Sequence, residues 1–211
     1  MAILEFPPVE LADENGLVGI GGDLEIESLL LAYSSGIFPW PISKEYPLAW
    51  FSPDPRGVLY YKKLHISKSL KKFLNNHTYQ IRYNTQFESV IRNCAEVKRA
   101  HEQSTWITED IISAYIDFHK LGHAYSVEVF HHDKLVGGLY GVKIKNYVCG
   151  ESMFHFEDNS SKLALVSLME KLHSQSIHWL DTQMITPVVD HLGGEYIPRE
   201  KFLKKLQSAL G

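Results

Sequence analysis

Hydrophobic residues return at helical spacing along three stretches of this chain. Phe87, Val90, Ile91, Cys94 and Ala95 form one stripe, and Ile111, Ile112, Tyr115, Phe118 and Leu121 form a second. Leu165, Leu168, Met169 and Leu172 place a third on one face of a helix expected over residues 160–174. Between the second and third stripes the pattern changes to strand-like runs at 124–130, 135–143 and 147–154. The turns between them, His132-Asp133-Lys134 and Lys145-Asn146, are short enough for antiparallel hairpins. A strand at 177–183 and a closing helix carrying Phe202, Leu203, Leu206 and Leu210 complete the regular part. Helices, a strand meander, then helix–strand–helix predict an α+β fold with a mostly antiparallel sheet.

Local signals set the ends of these elements. Ser67 caps a short helix through Phe73, and residues 79–83 alternate as a strand. Thr85 and Glu88 stand as a capping box before the first stripe; Thr108 caps the second, which Gly122 ends. The first sixty residues are different, being dense in Gly and Pro. One helix is expected there, over 26–35, capped by Asp23 and closed by Gly36, among turns and short strands. The contrast divides the chain into a small N-terminal α/β domain, residues 1–61, and a larger domain, residues 62–211.

A chain of 211 residues that is 45% hydrophobic and 12% aromatic can bury a core, which excludes disorder. No uncharged stretch reaches the roughly 20 apolar residues of a membrane span. The first eight residues show no basic or apolar leader, and the two cysteines, Cys94 and Cys149, form no framework. A reducing, cytoplasmic setting is expected. Charge matters more by position. Residues 57–87 hold Lys62, Lys63, Lys68, Lys71, Lys72 and Arg82 with no Asp or Glu, in a chain of net charge −4. This basic island on an acidic body fits contact with a polyanion, or only a solvated helix face.

Several familiar chemistries find no support. Gly19-Ile20-Gly21-Gly22-Asp23 precedes a helix but lacks the Gly-Lys-Ser/Thr of a phosphate loop. The eleven histidines offer no three-ligand cluster, so no metal is expected. No G-x-S-x-G elbow is present, and neither cysteine stands as a nucleophile. What remains is a set of polar groups at strand ends. Glu151 lies in Gly150-Glu151-Ser152-Met153-Phe154, and Asp181 and Gln183, at i and i+2, are expected on one side of their strand. Such a carboxylate and carboxamide can orient an amine and accept its proton, or form a buried structural pair. Trp40, Trp50 and Trp106 sit in loops, where they plug an interface or stack on a base.

These segments together resemble the leucyl/phenylalanyl-tRNA–protein transferase family. The matching motifs run in order: Gly21-Gly22-Asp23-Leu24, Gly36-Ile37-Phe38-Pro39-Trp40, Ser52-Pro53-Asp54-Pro55-Arg56 and Leu64-His65-Ile66-Ser67. Thr105-Trp106-Ile107, Leu121-Gly122-His123-Ala124, Ser126-Val127-Glu128-Val129 and the Leu135–Val142 run follow, then Gly150–Phe154, Ser161-Lys162 and Asp181-Thr182-Gln183. The resemblance implies a GNAT-like C-terminal domain, transfer of Leu, Phe or Met from aminoacyl-tRNA to proteins beginning with Arg or Lys, and the N-degron pathway. No cofactor is implied, and the pyrophosphate loop of acetyl-CoA-dependent relatives is missing between Cys149 and Ser160. A monomer that touches no membrane is expected.

The resemblance also assigns residues. Asp181 and Gln183 take the catalytic positions, with Glu151 holding the reacting groups. The apolar side-chain pocket maps to Leu139, Met153, Leu165, Leu168, Leu172 and Leu180. The terminal adenosine maps to Trp40 and Trp106, with Tyr33, Tyr115 and Thr186 nearby. Lys68, Lys71 and Lys72, spaced i, i+3, i+4, match the tRNA-binding helix.

Overall fold

In the computed structural model, which describes residues 2–41, 47–97 and 105–211, a large sheet carries helices on both faces. The N-terminal part holds β1 (Leu17–Ile20), α1 (Ile26–Ser34), β2 (Phe38–Pro39) and β3 (Ala49–Phe51). Its three strands form a small antiparallel sheet in the order β1-β3-β2. Then follow β4 (Arg56–Tyr60), α2 (Lys68–Asn76), β5 (Gln80–Tyr83), α3 (Phe87–Glu96) and α4 (Glu109–Lys120). The meander is β6 (Ala124–His131), β7 (Lys134–Ile144) and β8 (Tyr147–His155). The chain ends with α5 (Ser160–Ser174), β9 (Trp179–Gln183), α6 (Pro187–His191), β10 (Glu195–Ile197) and α7 (Arg199–Leu210).

The large sheet has the order β10-β4-β9-β8-β7-β6-β5. All neighbours are antiparallel except β8 and β9, which run parallel, joined by α5, and pair at Cys149 opposite Asp181. The expected α+β class and the antiparallel meander are therefore present. β4, on the N-terminal side of a division at residue 61, is hydrogen-bonded between β9 and β10 in this sheet.

Alternation of side chains sorts the core into two halves. Val127, Val129, Leu139, Val148 and Leu180 face α5, whose Leu165, Leu168, Met169 and Leu172 pack against them. Tyr140, Val142, Tyr147, Cys149 and Phe154 face the other way, toward α1, α3, α4 and α7. Gly36 lets α7 close on the N-terminal part: its φ is +76°, and a Cβ there would stand 2.9 Å from Leu203 and Phe202.

Two expected caps are not made. Asp23 lies two residues before the observed N-cap of α1, Glu25, and instead accepts from Ser28 Oγ at 2.6 Å and from Glu25 N. Thr85 and Glu88 form no capping box, because another partner takes each, a tertiary one for Thr85 and a neighbour on the same helix for Glu88. Thr85 Oγ1 donates to the buried Glu128 at 3.0 Å, and Glu88 pairs with Arg92 at 2.9 Å. Ser67 and Thr108 do cap α2 and α4, accepting from Leu70 N and Ile111 N. The unexpected elements are the short ones, α6 and β10, too brief to carry a periodic signal.

Candidate active site

Two irregularities shape the place where β8 and β9 part. In the β7–β8 ladder Gly141 faces Gly150 and Tyr140 faces Ser152, so Glu151 is the extra residue of a β-bulge. Gly141 makes this possible, since a Cβ there would lie 2.0 Å from the Cys149 carbonyl. In the β4–β9 ladder Gly57 faces Gln183 and Val58 faces Asp181, so Thr182 is the extra residue of a second bulge. Gln183 then takes a left-handed φ of +59°, sparsely populated for a residue with a side chain. Asp181 and Gln183 consequently do not share one side of their strand, as regular alternation would have put them.

Asp181 is fully enclosed, and both its oxygens are bonded twice. Oδ1 accepts from Arg56 Nε at 2.9 Å and from the Gln183 backbone N at 2.8 Å. Oδ2 accepts from Arg56 Nη2 at 2.7 Å and from Tyr147 Oη at 2.6 Å. Arg56, also fully buried, lies between the rings of Phe38 and Phe202 and donates to Gly36 O at 3.0 Å. Burial alone would lower the Arg56 guanidinium, but the charge and hydrogen bonds of Asp181 more than offset this and hold it above its usual range. In the sequence Arg56 only closes the Ser52–Arg56 motif; the signal it carries is a charged residue opening an apolar strand.

Glu151 is differently placed. Its Oε1 accepts from Gln183 Nε2 at 2.8 Å, Tyr33 Oη at 2.9 Å and Cys149 Sγ at 3.3 Å. Its Oε2 is enclosed and has no partner among the described residues. Burial raises the Glu151 carboxyl, and those three hydrogen bonds only partly counter it. Because an ionised carboxylate only accepts, the Gln183 amide must turn its NH2 toward Glu151, leaving its carbonyl oxygen to other partners.

Glu151 and Gln183 lie on the wall of a cavity of about 520 Å³. Leu139, Met153, Leu165, Leu168 and Leu180 make its apolar part, where β7, β8, β9 and α5 converge. Trp40, Trp106 and Thr186 also line it, the two indole rings 6.1 Å apart between centroids. Three expected pocket residues do not line it. Tyr33 and Tyr115 are wholly buried behind Glu151, hydroxyl to hydroxyl, and Leu172 packs one turn beyond Leu168 in the core. Lys68, Lys71 and Lys72 are elsewhere, exposed on α2, and none pairs with a carboxylate among the described residues. Among the described residues no His, Cys, Asp and Glu group could hold a metal ion, and no helix could cross a membrane.

A parallel β8–α5–β9 unit that parts to open a cavity, set in an otherwise antiparallel sheet, is the arrangement of a GNAT-like fold. Solved structures with partial likeness include a GCN5-related N-acetyltransferase-like protein from Streptococcus suis, at 12% identity over 77% of this chain and 59% of that one, TM-score 0.37. Residues 58–207 match the model for leucyl/phenylalanyl-tRNA protein transferase, and residues 22–54 match its N-terminal domain. Relatives of that name from Flavobacterium johnsoniae and Pseudoalteromonas atlantica are each 46% identical, covering 97% and 98% of this chain and 96% and 88% of their own. The chain belongs to the leucyl/phenylalanyl-tRNA–protein transferase family.

Proposed function

We propose that this enzyme moves Leu, Phe or Met from aminoacyl-tRNA to the α-amino group of proteins beginning with Arg or Lys, marking them for the N-degron pathway. The carrying observation is the Glu151–Gln183 pair set on the wall of an apolar cavity. The donor is already an activated ester, so the site must supply orientation and a place for one proton. Leu139, Met153, Leu165, Leu168 and Leu180 hold the donor side chain, and Trp40 and Trp106 hold the terminal adenosine, with Tyr33 and Tyr115 backing Glu151.

The Gln183 carbonyl accepts one N–H of the incoming amine. Glu151 takes the amine's proton, the C–N bond forms as the ester C–O bond breaks, and the proton returns to the leaving ribose oxygen. Asp181 acts through Gln183, whose left-handed backbone it pins. Lys68, Lys71 and Lys72 contact tRNA phosphates. We place the protein in the cytoplasm, where charged tRNA is, and read it as a monomer of two domains meeting near residue 61.

Labelled leucine offered from Leu-tRNA to peptides starting with Arg or Asp tests this reading. Transfer to the Arg peptide alone, abolished by Glu151→Gln, is expected. Transfer to the Asp peptide alone would overturn the acceptor assignment, and equal use of Ile-tRNA would overturn the pocket.

A further inference from the structure

We propose that a cleft formed by α2, the segment leading from it into β5, and the end of β6 is a second RNA site, stacking an unpaired nucleotide that precedes the terminal adenosine of the donor. The proposal rests on the transferase reading for the identity of that RNA. The cleft, of about 580 Å³, is lined by Lys72, Phe73, His77, Thr78, Tyr79 and His131, with Ser69 and Asn76 at its edge.

Its rings form one connected cluster. His77 and Tyr79 lie within 25° of parallel, with centroids 5.9 Å apart, and His131 stands edge-on to Tyr79 at 4.7 Å. Phe73 closes the floor, 5.6 Å from Tyr79 and 5.9 Å from His77. Two of these rings are held from behind: Tyr79 Oη donates to Glu157 at 2.7 Å, and His131 Nδ1 lies 2.9 Å from the same carboxylate. Glu157 itself does not line the cleft, so its charge is not turned toward an occupant. His77 Nδ1 is enclosed without a partner among the described residues.

Three features select RNA as the occupant. Aromatic faces left partly exposed can stack any base, a mode that single-stranded nucleic acid uses widely. Lys72, on the lip, belongs to the exposed Lys68-Lys71-Lys72 face, which complements a polyanion. The cleft is also tied to the reaction cavity through the end of β8. His155, the last residue of β8, lines the cavity, and Glu157, two residues on in the bend before α5, bonds Tyr79 and His131 of the cleft.

The test uses Leu-tRNA carrying 2-aminopurine beside its terminal adenosine, and as small donor a leucyl ester of adenosine with no further nucleotide. With the full-length protein, stacking quenches the 2-aminopurine. The variant His77→Ala/His131→Ala is expected to lose that quenching and to bind the tRNA about 5- to 150-fold more weakly, the range one lost base stack gives. Its transfer from the small donor is expected to match wild type. Unchanged quenching and affinity would overturn the proposal. So would equal losses with both donors, since the cleft would then act only through the fold. Quenching needs no turnover: a wild-type protein that quenches but transfers from neither donor would end the transferase reading and leave the cleft standing.

Discussion

Asp181 and Glu151 stand on neighbouring strands, two residues out of step, and the environments of the two carboxylates diverge. Asp181 has two donors on each oxygen and a buried guanidinium in bidentate register. Glu151 crowds three donors onto one oxygen and leaves the other with none. A buried acid whose hydrogen bonds are complete is a fastener, because any movement strands a charge. One whose bonds are incomplete keeps capacity for a substrate. Glu128 is a further example of the first kind: wholly buried, it accepts from Ser126 Oγ, Thr85 and the Gln86 backbone, away from the cavity.

The largest test of this contrast breaks the fastener. Arg56→Met strands Asp181 and is expected to cost about 3–5 kcal/mol, lowering the melting temperature by roughly 10 °C. Adding Asp181→Leu should restore part of that stability by removing the stranded charge, while transfer stays lost, since Gln183 N then lacks its acceptor. Full recovery of activity in the double variant would show that the knot serves stability alone.

Glu151→Gln is expected to do the opposite, lowering single-turnover transfer about 100-fold or more with no loss of melting temperature. Its pH behaviour sharpens the point. Burial raises the folded-state carboxyl above its ordinary 4.5, so the folded protein holds the proton more tightly than the unfolded chain. The stability this contributes is complete below that ordinary value and is lost as pH rises through the folded one. Over the same window activity rises, because the ionised form is the one that holds Gln183 and takes a proton. Wild type should therefore lose stability relative to Glu151→Gln across the range in which its activity appears. Parallel curves for the two proteins in denaturant titrations would refute the raised carboxyl.

Smaller effects belong to the donor sites. Trp40→Ala should weaken donor binding by ~1–3 kcal/mol, the worth of one base stack, read as a rise in KM for both the small donor and tRNA. Replacing Lys68, Lys71 and Lys72 together by Ala should flatten the dependence of log affinity on log salt by about 2. An unchanged slope would return α2 to a merely solvated face.

Much of this protein was legible in its residues. The stripes around Val90, Tyr115 and Leu168 gave three helices nearly to their ends, since each element buries one face and repeats its apolar residues accordingly. Glu151, Asp181 and Gln183 drew attention as polar groups ending apolar strands, and the order of motifs pointed to the family that the comparisons then identified. The small elements α6 and β10, and the tertiary claim on Thr85, were not legible, because nothing local distinguishes a cap from a partner forty residues away.

The sequence by itself determined the class of fold, the family and the residues that carry charge into the site. Tertiary structure alone decided which partners each of them meets. Two single-residue bulges reshape the site: the one at Thr182 breaks the alternation that would have given Asp181 and Gln183 a common face, and the one at Glu151 breaks that of β8. Pairing across the sheet creates those bulges, and a period-2 pattern read along one strand cannot register them. The same is true of Arg56: its partner is 125 positions away, and only the closed sheet brings the two charges within 2.7 Å.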